Sequence, residues 1–173
     1  MEIAEILVVA GGEVREALES VIASDNARSF EMFEKLLKAG ADVNVVCRDG
    51  ASALQLAIVS GNGMSFEMFE ALLESKADVN VLNGDGVSTL HLVFASDNAR
   101  SFEMFETLIK AGADVSVVRR DGASVLALAI VSGNARILNC RMMPKMIEYA
   151  ESAEISYVRR LSLAFLEPNN IFG

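Results

Sequence analysis

The segment SFEMFE begins at Ser29, again at Ser65 and again at Ser101, an interval of 36 residues each time. ADVN at 41–44 returns as ADVN at 77–80 and ADVS at 113–116, and Asp-Gly pairs at 49–50, 85–86 and 121–122 keep the same interval. A period of 20–50 residues marks a solenoid, in which no unit can bury its apolar face alone and each packs on its neighbours. The copies are unequal. Residues 24–62 match 96–134 at 33 of 39 positions, and the middle unit differs more from both, which points to duplication of a two-unit block.

Each unit reads as two helices and a hairpin-like loop. In the second copy, 88–96 (STLHLVFAS) is short and apolar, with Ser88 placed to cap the first turn. Residues 66–75 carry Phe66, Phe69, Leu72 and Leu73 at i, i+3, i+6 and i+7, one face of a helix. Gly40 and Gly112 stand where a left-handed residue closes the second helix, whereas the middle unit has Lys76 there. A lysine at positive φ costs about 1 kcal/mol, so the middle unit is expected to be the least stable. The segments 41–50, 77–86 and 113–122 are rich in Val, Asn, Asp and Gly and turn back on themselves.

Together these motifs resemble the ankyrin-repeat family. Its T-P-L-H-x-A first-helix motif is matched by Ser52 to Ala57, Ser88 to Val93 and Ser124 to Ala129, without the proline, so the helix start is expected to rest on serine capping alone. Its L-L-x-x-G-A-D-V-N tail is matched by Leu36 to Asn44, Leu72 to Asn80 and, with Ile109 and a terminal serine, Leu108 to Ser116. Cys47, Asn83 and Arg119 replace the residue that anchors the usual loop hydrogen bonds, and a weakened network is expected there. Each unit is three residues longer than the common repeat of about 33. The extra residues align to 27–29, 63–65 and 99–101, between the two helices.

The resemblance implies an all-α ankyrin-repeat solenoid of about four helix pairs plus terminal capping helices, forming one domain over 1–173. Residues 1–15 are expected as an N-terminal cap helix, 16–152 as repeats of period 36, and 153–173 as a C-terminal cap helix and tail. Pro144 stands at a helix-entry position in the last repeat helix.

Composition excludes several function classes. At 52% hydrophobic residues and 23% charged, the chain of 173 can bury a core. No apolar run approaches the ~18 residues of a membrane span, and Glu2 with no basic region behind it argues against a signal peptide. Two cysteines, Cys47 and Cys140, are too few for a disulfide scaffold and fit a reduced, cytoplasmic setting. A net charge of −9 disfavours nucleic acid and anionic membrane as partners.

Candidate chemistry is thin, and no catalytic, metal or cofactor site is expected. His91, the sole histidine, falls on the family's motif histidine. The resemblance implies that it hydrogen-bonds backbone between units. Neither cysteine has a second Cys or a His at metal-ligand spacing. The glutamates at 31, 34, 67, 70, 103 and 106 recur by duplication on positions expected to face solvent, so they are not read as an acid–base pair.

By resemblance, a protein partner binds the concave groove lined by loop tips and first helices. Here the residues are Val46, Arg48, Asp49 and Ala51, then Leu82, Gly84, Asp85 and Val87, then Val118, Arg120, Asp121 and Ala123. Apolar groups beside Arg suit an interface, while the aspartates also serve the turn before glycine. Residues 1–134 hold 10 Lys and Arg against 20 Asp and Glu, so the array carries the acidity and can steer a basic partner. The expected function is non-catalytic protein binding. Its alternatives are an inhibitor, such as a bacterial immunity protein or a host-directed effector, and a regulatory subunit of an enzyme. Ser162, within RRLSL, and Asn44 and Asn80, within the repeat tails, also match short modification motifs.

Overall fold

The computed structural model describes residues 13–24, 27–47, 50–96 and 100–131. Among these it is helical: α1 Glu13–Ala23, α2 Ala27–Lys38, α3 Ala53–Ser60, α4 Ser65–Glu74, α5 Thr89–Ala95, α6 Ser101–Lys110 and α7 Val125–Val131. Residues 1–12 of the expected N-terminal cap helix, the whole C-terminal one, Cys140, Pro144 and Ser162 lie outside the described residues, and 13–15 begin α1. The chain divides into two compact units, Met1–Ala113 and Asp114–Gly173.

In the first unit the helices pair as α1–α2, α3–α4 and α5–α6, and α1, α3 and α5 form a packed inner row. The core carries the sequence period. Phe33, Phe69 and Phe105 are fully buried at identical positions, as are Leu36, Leu72 and Leu108, and Met68 and Met104. Leu54, Ile58 and Leu90 supply the inner-row side of that core. Period 3.6 along each outer helix puts these residues on one stripe, and burying a Phe or Leu there is worth roughly 1.5–3 kcal/mol.

The outer helices close alike. Ala41 N donates to Leu36 O at 3.0 Å and Gly40 N to Leu37 O at 3.0 Å, with Gly40 at φ 88°. The same pair runs from Ala77 to Leu72 and Lys76 to Leu73, and from Ala113 to Leu108 and Gly112 to Ile109. This is the Schellman closure, which needs a left-handed residue. Lys76 therefore holds φ 67°, as its alignment with Gly40 and Gly112 requires.

The inner helices start on serine, but not on serine alone. Ser52 Oγ accepts from Gln55 N at 3.3 Å while Gln55 Oε1 accepts from Ser52 N at 3.0 Å, a reciprocal capping box. Ser88 and His91 form the same box. The missing proline is thus offset by a side chain three residues into the helix. In the second unit, where α7 is described, Ser124 Oγ accepts from Ala127 N at 3.1 Å, and alanine has nothing to return.

Two further expectations are corrected. Ala27–Ser29 do not lie between helices; they form the first turn of α2. Asn83 does not weaken its loop, because its Oδ1 accepts from both Asp85 N and Val87 N at 3.0 Å. An amide oxygen has two lone pairs, so it can take both donors.

Candidate functional site

A hairpin tip precedes each of α3, α5 and α7, and its build is the same each time. Val46 bridges Ser52, Leu82 bridges Ser88 and Val118 bridges Ser124. One residue further in, Cys47 N donates to Ala51 O at 2.8 Å, Asn83 N to Val87 O at 3.1 Å and Arg119 N to Ala123 O at 2.9 Å. Alternation along this short extended pair turns one side chain outward and its neighbour inward. Accordingly Val46, Leu82 and Val118 are 43%, 48% and 46% exposed, whereas Ala51 and Val87 are buried.

The other expected residues separate by environment. Gly84 and Asp85 are exposed at the second tip, and Gly50, in the first, comes so close that a Cβ on it would stand 2.8 Å from Gly84 N. Arg48 and Asp49 lie outside the described residues. In the second unit Arg120 and Asp121 are exposed and Ala123 is half-buried. Asp121 is engaged within its own tip: Oδ1 accepts from Ala123 N at 3.1 Å and Oδ2 pairs with Arg119 Nη2 at 2.9 Å. Its part is to shape the turn.

Behind the tips, polar side chains join successive repeats of the first unit. Gln55, fully buried, donates from Nε2 to Val81 O at 3.1 Å and to Val87 O at 2.9 Å. His91 occupies the position 36 residues on, also fully buried, and its Nδ1 lies 2.7 Å from Ser88 Oγ and 3.3 Å from Ser88 N. Its ring thus closes the cap of its own helix, and Gln55, at the equivalent position one repeat earlier, also reaches the loop of the next repeat. Thr89 Oγ1 donates to Val79 O at 2.6 Å. Asn44 Oδ1 accepts from Asp78 N at 2.7 Å, and Asn80 Nδ2 donates to Gly112 O at 3.2 Å. The asparagines of the repeat tails therefore link neighbouring repeats.

The inner row presents an apolar surface beside the tips. Leu56 and Leu92 are half-exposed, Val59 is 50% exposed, and Ala95 is exposed. A cleft of about 690 Å³ opens between the α3–α4 turn and the ends of α5 and α6, lined in part by Ile58, Val59, Phe66 and Leu92. At its wall the Arg100 guanidinium lies 3.4 Å from the centroid of Phe66, a cation–π contact, with Nη1 3.7 Å from Glu67 Oε1. Glu67 is thus half-buried and paired, not freely solvated as its spacing suggests.

On the outer face, Glu31 pairs with Lys35 at 2.9 Å and Glu34 with Lys38 at 3.6 Å, both one helical turn apart. Hydrogen bonding and charge from Lys35 hold the Glu31 carboxyl below its ordinary value. Among the described residues no group of three or more His, Cys, Asp or Glu is placed to hold a metal ion, and no helix is long and apolar enough to cross a membrane.

Comparison with known proteins agrees with this architecture. A family model, ankyrin repeats (3 copies), matches residues 20–119. No curated protein matches the sequence. The matched span takes in Phe33, Phe69 and Phe105, the capping serines Ser52 and Ser88 and all three Schellman closures, and ends at Arg119 within the third tip. It covers more than half of the sequence, and the chain belongs to the ankyrin-repeat family.

Proposed function

We propose that the chain is a non-catalytic protein-binding module that engages its partner through the hairpin tips and the inner helix row. Ankyrin repeats are generally protein–protein interaction modules. The observation that carries the reading is the repeated outward apolar residue: Val46, Leu82 and Val118 each leave more than two-fifths of their surface in water at the same tip position. Folding does not require a valine or leucine there, since each tip is held by its backbone bonds to residues 51, 87 and 123. Apolar side chains on rigid elements, bordered by polar groups, make good interface anchors. Arg120 is exposed at the tip of the second unit, and Arg48 stands at the equivalent sequence position in the first.

The test begins with affinity capture of a partner by the full chain, followed by substitution. Leu82→Glu is expected to weaken binding by about 2 kcal/mol or more if the tip is a hot spot. Charge reversal at Glu31 and Glu70, on the outer helices, is expected to change mainly the on-rate and its salt dependence. Loss of binding with the outer changes and retention with Leu82→Glu would place the interface on the outer helices instead.

A further inference from the structure

A cavity of about 440 Å³ opens between α1 and α3, within the size range of ligand pockets, about 300–1,000 Å³. Ile22, Ala23, Cys47, Leu56 and Val59 give it apolar walls, and among the described residues Glu19 is the charged one in its lining. Glu19 has a traceable history in the repeat. It stands 36 residues before Gln55 and 72 before His91, the residues that return the hydrogen bond in the capping boxes of α3 and α5. Three residues ahead of those partners are Ser52 and Ser88, but three ahead of Glu19 is Glu16, which cannot serve as that hydroxyl. The position is therefore released from its structural task in α1. No hydrogen bond or ion pair engages the Glu19 side chain among the described residues.

We infer that this pocket receives an apolar side chain of the partner whose neighbouring residue is a lysine or arginine paired with Glu19. The inference rests on the protein-binding reading above and selects the class of partner. Charge favours that class twice. The pocket offers a carboxylate that no described residue pairs, beside an apolar wall. Residues 1–113 hold 18 Asp and Glu against 8 Lys and Arg, a net charge of −10, so the surrounding field attracts cations and repels acidic segments.

Panning a random dodecapeptide phage library against the full chain tests it. Enriched clones are expected to pair Leu, Ile, Met or Phe with an adjacent Lys or Arg. A synthetic peptide from the leading clone is expected to bind at least tenfold more weakly to Ala23→Trp, which fills the pocket from an exposed position. Glu19→Gln is expected to cost severalfold and to flatten the salt dependence. Val59→Asp, at another exposed position, repeats the first test should Ala23→Trp melt early. Acidic consensus clones, an absence of enrichment, or peptides indifferent to all three substitutions would overturn the inference. Peptides indifferent to the pocket but lost on Leu82→Glu would remove the pocket and leave the tip reading standing. Peptides indifferent to Leu82→Glu as well would remove both.

Discussion

Asn62 donates from Nδ2 to the backbone carbonyl of Ile22 at 2.8 Å, across forty residues of sequence. Ile22 lies in the last turn of α1, where carbonyls have no partner within the helix. The same asparagine accepts from Met64 N at 3.1 Å through Oδ1, so one side chain shapes the α3–α4 turn and binds it to the preceding helix pair. Asn62 directly precedes Gly63, the first residue of that repeat's extension, which gives the longer turn a structural use. Asn62→Ala is expected to cost about 1–2 kcal/mol through the unsatisfied groups it leaves. Asn62→Asp should cost more, because a carboxylate replaces the donor facing Ile22 O. Thermal melts of both variants, with hydrogen exchange over 20–24, measure this.

Gln55 makes a comparable link at the other end of α3. Its replacement by alanine removes the bonds to Val81 O and Val87 O and opens the capping box at Ser52. Several buried polar groups lose their partner together, and the expected loss is about 2–4 kcal/mol, since each stranded group costs about 1–3 kcal/mol and neighbouring losses overlap. Gln55→His should recover part of it, because His91 shows that a ring nitrogen closes this box. Denaturant melts of the two variants are the check, and equal stability of Gln55→Ala and wild type would contradict the assignment.

The period made much of this visible before any coordinates. Gly40, Lys76 and Gly112 share one register, so the left-handed conformation expected of one applied to all three. The capping serines were visible for the same reason. What stayed hidden depends on reach between repeats. Nothing local to Asn62 says that its amide meets Ile22 O, and nothing in the Ala51 and Val87 types says that the hairpin turns them inward. Sequence spacing put the Glu67 carboxylate in water, yet the stacked Arg100 of the next repeat covers it. Glu19 was overlooked because helix α1 lacks the motif that its register partners display. Comparing it with Gln55 and His91 at the common interval is the signal that would have found it.

Lys76→Gly is expected to stabilise the protein by about 1 kcal/mol, the strain of a lysine held at φ 67°. That corresponds to about 2–4 °C in Tm for a chain of this length. The gain should be concentrated in the middle repeat, as slower amide exchange over 77–86, because solenoid stability is a sum of local terms. Unchanged or faster exchange there would show that the lysine side chain contributes more than its backbone costs.

Gly50 and Gly122 separate strain from close contact. Both stand at the same tip position with nearly equal left-handed φ, 84° and 85°. Among the described residues a Cβ at Gly122 would meet nothing within 4 Å, whereas at Gly50 it would lie 2.8 Å from the backbone nitrogen of Gly84. Gly122→Ala should therefore pay only the conformational cost, about 1–2 kcal/mol. Gly50→Ala adds a backbone collision that no rotamer change can relieve, so it should destabilise more and disturb the second tip as well as its own. Amide exchange at Asn83 and Asp85 distinguishes the cases, rising in Gly50→Ala and staying at its native rate in Gly122→Ala. Equal melting temperatures for the two variants would mean that the first and second tips relax apart at little cost.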